Sequence, residues 1–173
     1  MASLTDRMVR AAKLDVHLYE EVEADKDAMG QAAIVVVLSS LAAGIGSFQM
    51  VGSIGGLISA TIGALIGWAI WAFITYIIGT KLLPEPQTQA DWGELLRTIG
   101  FSSSPGLIRV LGIIPIIGGI FLLIASIWML IAMVIAVRQA LDYHSTLRAV
   151  GVCLIGWIVQ VVILGVLLAP FMK

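Results

Sequence analysis

Charge is missing over long stretches of this 173-residue chain. No charged side chain stands between Asp27 and Lys81 (53 residues), between Arg109 and Arg138 (28) or between Arg148 and Lys173 (24). Charged residues make up 12% of the chain and mean hydropathy is +1.03, whereas soluble domains are about 25% charged. A soluble domain is therefore excluded. An excess of either sign is also missing: ten Lys and Arg face eleven Asp and Glu, which leaves no global field to draw nucleic acid or anionic lipid. The single cysteine, Cys153, rules out a disulfide framework or thiolate metal site and is expected as a small core residue. The two histidines, His17 and His144, lie in separate aqueous segments. No zinc-protease helix, phosphate-binding loop or nucleophile triad can be assembled from the motifs present. The reading is a non-enzyme with no cofactor and no metal, in which Glu20, Glu21 and Glu23 form a solvated face. Residues 1–27 carry eleven charges and no short apolar stretch before a small-residue cleavage site, so no signal peptide is expected there.

What is present is material for membrane helices. A bilayer core is crossed by roughly 20 apolar residues. The first uncharged run would make a helix of about 80 Å, so it must hold two spans and a turn. The expected fold is an all-α integral membrane protein, a five-helix transmembrane bundle with a short amphipathic amino-terminal helix. Its spans fall at about 30–50, 57–82, 96–112, 116–137 and 149–170. Glycines and polar residues from Gly44 to Gly56, Gln49 and Gly52 among them, mark the first turn; Pro84 and Pro86 end the second span. Asp91 with Glu94 caps the helix that follows. Ahead of the membrane domain (28–173), residues 1–27 form a cytoplasmic segment. Its residues 3–14 read equally as an interfacial helix with arginines on lipid phosphates and as a solvated surface helix. Tyr19 and Val22 are expected to dock on the domain, with Asp25 or Asp27 capping the first span.

Five spans with the amino terminus inside put Arg7, Arg10, Lys13, Lys26, Lys81, Arg97, Arg138 and Arg148 in the cytoplasm and only Arg109 and Lys173 outside. The positive-inside rule favours this arrangement over four spans. It places the chain in a cell inner membrane with its carboxyl terminus outside. Arg138 and Asp142, one turn apart, suggest a local ion pair.

In lipid, close approach of small residues holds helices together. Ser59, Gly63 and Gly67 form one four-residue-spaced stripe on the second span, and Gly56, Ala60 and Ala64 the next. The stripe reads as a helix-packing face, so Gly63→Leu is expected to damage the fold more than Gly52→Leu. Gln160, alone and polar in the fifth span, reads as a hydrogen bond to a neighbouring helix. Ion pumps and proton-coupled carriers keep carboxylates, histidines or basic residues within their spans, and four of these five spans have none but Lys81, in the last turn of the second. The exception is LRTIGFSSSPGLIR, residues 96–109, with Gly100, Ser103, Ser104 and Pro105 bracketed by Arg97 and Arg109. One reading is a proline-kinked helix with snorkelling arginines. The other is a broken helix lining a pocket for an anionic lipid headgroup or small solute, with Ser126 and Thr75 available to complete it.

Four segments resemble the Yip family (Ypt-interacting-protein domain), and its small bacterial members in particular. They are YEEVEAD (Tyr19–Asp25), YIIGTKLL (Tyr76–Leu83), ELLRTIGFSSSPGLI (Glu94–Ile108) and IASIWMLIAMVIAVRQAL (Ile124–Leu141). The resemblance implies five spans, a cytosolic amino terminus and a third span opened by Gly100, Phe101 and Pro105. The Asp-Leu-Tyr-x-Gly-Pro motif and long cytosolic tail of eukaryotic members are missing, so their small-GTPase partners do not carry over. The leading reading is a non-enzymatic membrane protein acting in membrane organisation or as a membrane-complex partner, in contact with lipids and with a second copy or another membrane protein. The alternative is a small transporter, channel or lipid-binding protein that uses the broken third span. A polar cavity reaching Arg97 or Arg109 would favour the alternative.

Overall fold

The computed structural model describes residues 2–47 and 53–168, and every regular element among them is helical. Helices α1 (Leu4–Ala12) and α2 (Val16–Ala24) form an amino-terminal hairpin, and a 3-10 turn (Lys26–Ala28) leads into α3 (Met29–Gly46). Helix α4 (Ile54–Ile77) ends in a π turn (Ile78–Leu82). Helix α5 (Trp92–Ser102) continues as a 3-10 segment (Ser104–Ile113), and α6 (Gly118–Ala140) and α7 (Thr146–Leu168) complete the chain. Four stretches are long and apolar enough to cross a membrane: Lys26–Gly46, Ile54–Leu82, Gly118–Ala140 and Thr146–Ile163. The chain is a membrane protein. Helix boundaries shift by a few residues from those expected, because capping rather than hydropathy sets them. Ser53 caps α4 by accepting the Gly56 N–H, and Asp91 and Glu94 close a reciprocal capping box on α5. The expected turn at Gln49–Gly52, the contact of Gly52, the end of the fifth span at Pro170 and the placement of Lys173 lie outside the described residues.

The third apolar segment is not one helix. A proline at position 105 has no N–H to give and clashes with the preceding turn, so α5 stops at Ser102 and the backbone tightens to a 3-10 helix. Its course is fixed by what it touches. Arg97 meets the carbonyls at the end of α2, Gly100 lies on Ala32, Gly106 on Ser39, and Gly112 on Gly46. The segment thus follows α3 from its first turns to its last, in the same direction.

The amino-terminal hairpin turns its arginines inward. The Arg7 side chain is almost fully buried; it donates to Glu21 at 2.9 Å, Asp25 at 2.7 Å and Gln31 at 3.2 Å. Arg10 donates to Asp15 at 2.9 Å and to Glu21 at 2.5 Å. Neither is free for lipid phosphate, which corrects that part of the interfacial-helix reading. Burying an arginine requires carboxylates that offset its lost hydration, and the acidic α2 supplies them; Glu21 is therefore a paired group and no part of a solvated face. Tyr19 and Val22 dock as expected, both fully buried, and Asp25 caps the turn before α3. The Trp128 indole of α6 donates to the Ala12 carbonyl at 2.8 Å, tying the hairpin to the bundle.

Among the described residues the Ser59–Gly63–Gly67 stripe makes no close helix pair. Ser59 and Gly63 are exposed, and no described atom stands within 4 Å of a Cβ built at Gly63 or Gly67. The close approaches fall elsewhere. A Cβ at Gly46 would collide with the backbone carbonyl of Arg109, and one at Gly100 would lie 2.8 Å from the Ala32 Cβ. Spacing marks small residues but not which of them meet a neighbour. Gly46→Ala should therefore lower thermal stability in detergent by about 1–3 kcal/mol through overpacking, while Gly63→Ala should leave the monomer unchanged. Equal melting temperatures for the two variants would contradict this packing.

Candidate functional site

The inner half of the bundle, the end at which α5 and α7 begin, is filled. Trp71, Ile74, Ile78, Leu95, Ile99, Val137, Leu141 and Val152 form one buried cluster. The outer half is not filled. A cavity of about 720 Å³ opens there between α3, α4, α6 and α7, above the end of α5. Apolar side chains make most of its wall: Ala60, Ala64, Trp68 and Trp71 from α4, Met129 and Met133 from α6, Trp157 from α7. The polar groups are Ser39, Ser40 and Ser47 of α3, Ser102 and Ser103 at the break, Ser126, Gln160 and Arg109.

Arg109 reaches this cavity because the 3-10 segment has no side chain at Gly106. A Cβ at Gly106 would collide with the Ser39 hydroxyl and lie 2.9 Å from the Arg109 guanidinium. The guanidinium donates to the Ser39 Oγ at 2.7 Å, the Ser39 carbonyl at 3.1 Å and the Gly106 carbonyl at 3.2 Å. Every partner it has among the described residues is a neutral oxygen. Ser39 is seven residues from the end of α3, so at 1.5 Å per residue the charge sits about 10 Å below that end. At such depth ionisable side chains pair with a counter-charge or face a polar cavity. A second group is left wanting: the Trp71 Nε1 is buried and has no hydrogen-bond partner among the described residues, although buried polar atoms almost always find one.

The six residues expected to form a contact site divide. Arg109 and Ser103 line the cavity. Arg97 does not; its buried guanidinium donates to the Val22 carbonyl at 2.9 Å and to that of Glu23, holding the end of α2. Gly100 is where α5 touches α3. Ser104 and Pro105 are buried in the packing of the 3-10 segment, and the Ser104 hydroxyl returns to the Phe101 carbonyl at 2.7 Å. Ser126 lines the cavity as anticipated, whereas Thr75 is turned to the carbonyls of Trp71 and Ala72. Gln160 faces the cavity and makes no hydrogen bond to a neighbouring helix among the described residues. Ser39 and Trp71 were not foreseen, since each lies in an ordinary apolar helix.

A second cavity, of about 590 Å³, lies at the inner end of the bundle, lined by Glu20, Glu23, Glu94, Asp142, Arg138 and His144. Arg138 donates to the Tyr143 carbonyl at 3.2 Å and to Thr146 at 3.3 Å, so the expected pairing with Asp142 is replaced by a cap on the loop. Among the described residues no three His, Cys, Asp or Glu are placed to hold a metal ion. Burial, then repulsion from Asp142 and Glu94, pushes the Glu23 carboxyl up to about 8.

Residues 17–168 match the Yip1 domain. The chain belongs to the Yip1 domain family. The match takes in α2 and all the helices of the bundle, and so both cavities; α1, with Arg7 and Arg10, precedes it. No curated protein and no solved structure matches the chain.

Glu23 gives the Yip1 domain a testable pH response. The folded state keeps this proton up to about pH 8, while the unfolded chain releases it near the ordinary value of 4.5. Between these values the native state binds more protons, so stability falls as pH rises. Asp15 and Asp25, hydrogen-bonded by Arg10 and Arg7, are held below their usual range and lose their contribution only in more acidic solution. Thermal unfolding should therefore show stability declining from about pH 5 to pH 8, and Glu23→Gln should flatten that decline. An unchanged slope in the variant would assign it elsewhere.

Proposed function

We propose that this chain is a five-span, non-enzymatic protein of a bacterial inner membrane that binds an anionic amphiphile or small solute beneath Arg109, and that it contributes to membrane organisation by doing so. One observation carries the reading: Arg109, with no carboxylate beside it among the described residues, lies at membrane depth on the wall of a largely apolar cavity and is hydrogen-bonded only to neutral oxygens. Removing a charge from water without a counter-charge costs several kcal/mol, and an anionic guest would offset that cost.

The fifth crossing is supported by the path of residues 92–113 along α3. Eleven α-helical residues at 1.5 Å and ten 3-10 residues at 2.0 Å span about 36 Å, enough for a hydrocarbon core of about 30 Å. The amino terminus inside follows from the distribution of Lys and Arg. Binding is favoured over conduction because the inner half of the bundle is closed by buried side chains. Covalent chemistry is disfavoured because the cavity wall lacks carboxylate, histidine and cysteine. A second reading, assembly with another copy or another membrane protein, is favoured by the uncovered Ser59–Gly63–Gly67 stripe.

Native mass spectrometry from mild detergent tests both readings. Wild type and Arg97→Lys should carry the same bound anionic species, and Arg109→Gln should lose it; identical adducts in all three would defeat the binding reading. A dimer abolished by Gly63→Leu would establish the second. The topology has its own check in a Cys153→Ala background. Thr88→Cys should be protected from an impermeant thiol reagent in intact cells and react after lysis, and labelling before lysis would refute five spans with the amino terminus inside.

A further inference from the structure

The anion is of a definable kind, and its route of entry is visible. This step rests on the binding reading above. Helices α4 and α7 meet where Gly156 packs on the Trp71 ring, with a Cβ there 3.2 Å from the indole and 3.6 Å from Ile74. Outward of that contact, among the described residues, Gly63 and Gly67 have nothing within 4 Å of a Cβ, and Trp157 and Val161 are exposed. On the α3 side the cavity is shut, since Leu57 lies on Gly44 and Ser40 is within 3.3 Å of Thr61. Among the described residues the opening thus faces the bilayer beside α7, with Trp157 exposed on the α4 side and Ser126 and Leu130 exposed on the α6 side.

We infer that the cavity takes a phospholipid of the outer leaflet sideways through this slot, its phosphodiester on Arg109 and its acyl chains remaining outside along α4 and α7. Three features select that chemistry. The walls nearest the slot, Ala64, Gly67, Trp71 and Trp157, are apolar, so a hydrated inorganic phosphate would lose its water without replacement. A phosphodiester carries one negative charge and matches one guanidinium, whereas inorganic phosphate at neutral pH carries more. Among the described residues no carboxylate lines the cavity, so an ammonium headgroup finds only the weaker attraction of the Trp68, Trp71 and Trp157 rings, while a polyol headgroup finds hydrogen-bonding partners in Ser40, Ser126 and Gln160. The favoured ligand is an anionic glycerol-type phospholipid.

The test uses full-length protein in detergent, titrated with phosphatidylglycerol, phosphatidylcholine or inorganic phosphate and read by native mass spectrometry and thermal shift. Wild type should retain phosphatidylglycerol at least about tenfold more tightly than phosphatidylcholine and gain no stability from phosphate ion. Arg109→Gln should abolish the preference. Gly67→Phe, whose Cβ meets no described atom within 4 Å and whose ring would occupy the slot, should reduce retention at least about tenfold while the unliganded protein keeps its melting temperature; Ala64→Phe serves as a second block. Stabilisation by inorganic phosphate that depends on Arg109 but not on Gly67 would overturn the lipid assignment and leave the anion-binding reading intact. Equal retention of both lipids with Arg109 still required would overturn the headgroup selection alone. Retention indifferent to Arg109 would overturn both.

Discussion

A backbone in hydrocarbon has no water to fall back on, so any carbonyl freed from a helix must be satisfied by the protein itself. That constraint governs the segment from Ile99 to Ile113. Pro105 breaks the α-helix, and the serines around it repair what the break leaves open: Ser102 donates to the Ile99 carbonyl at 2.7 Å and Ser104 to that of Phe101. The remaining gap is closed by neighbours. Arg109 takes the carbonyls of Gly106 and Ser39, and α3 comes close enough to do this only because Gly46, Gly100 and Gly106 have no side chains. The serine-rich sequence is thus largely the cost of the break, and only Ser102 and Ser103 of its serines also face the cavity.

Three arginines illustrate how environment decides the role of one residue type. Arg7 sits among carboxylates and behaves as a structural cross-link between α1, α2 and α3. Arg97 has no ion pair among the described residues, yet its guanidinium is spent on two carbonyls at the end of a helix, where the peptide dipoles present negative charge. Arg109 has neither carboxylates nor a helix end. Its neutral partners hold it in place without neutralising it, and it alone of the three borders open volume. Position in the sequence, at either side of a broken helix, makes Arg97 and Arg109 look equivalent; their surroundings make one a clamp and the other a candidate anion receptor.

Much of the architecture was legible because hydropathy and capping are local. The uncharged runs announce membrane helices, Asp91 with Glu94 announces the start of α5, and Pro105 announces the break. The site was legible only where a residue is anomalous in its own segment, as Arg109 is. Ser39 and Trp71 carry no such mark: a serine and a tryptophan in apolar helices are ordinary, and only the fold brings the first to Arg109 and leaves the second unpartnered. The glycines teach the same lesson in reverse. The regular spacing of Gly63 and Gly67 suggested a packing face, yet the contacts belong to Gly46, Gly100 and Gly106, which no repeat connects.

The break and the cavity are two consequences of one choice. An uninterrupted α-helix rises 1.5 Å per residue with its side chains spread around the axis, and could pack against α4 and α7 along its whole length. The 3-10 segment is narrower and eclipses side chains every third residue, and it is committed to α3 and α6 by backbone contact at Gly46 and Gly112. Beyond Ser103 it therefore contributes little to the α4 side of the bundle. Trp68 and Trp71 fill the gap up to that level, with Trp68 anchored on the Leu96 carbonyl at 3.0 Å. Above it, α4 offers Gly67, Ala64 and Ala60, side chains too small to reach across. Large residues at these three positions would close the bundle as an ordinary membrane core; small ones opposite a lone arginine keep the space open.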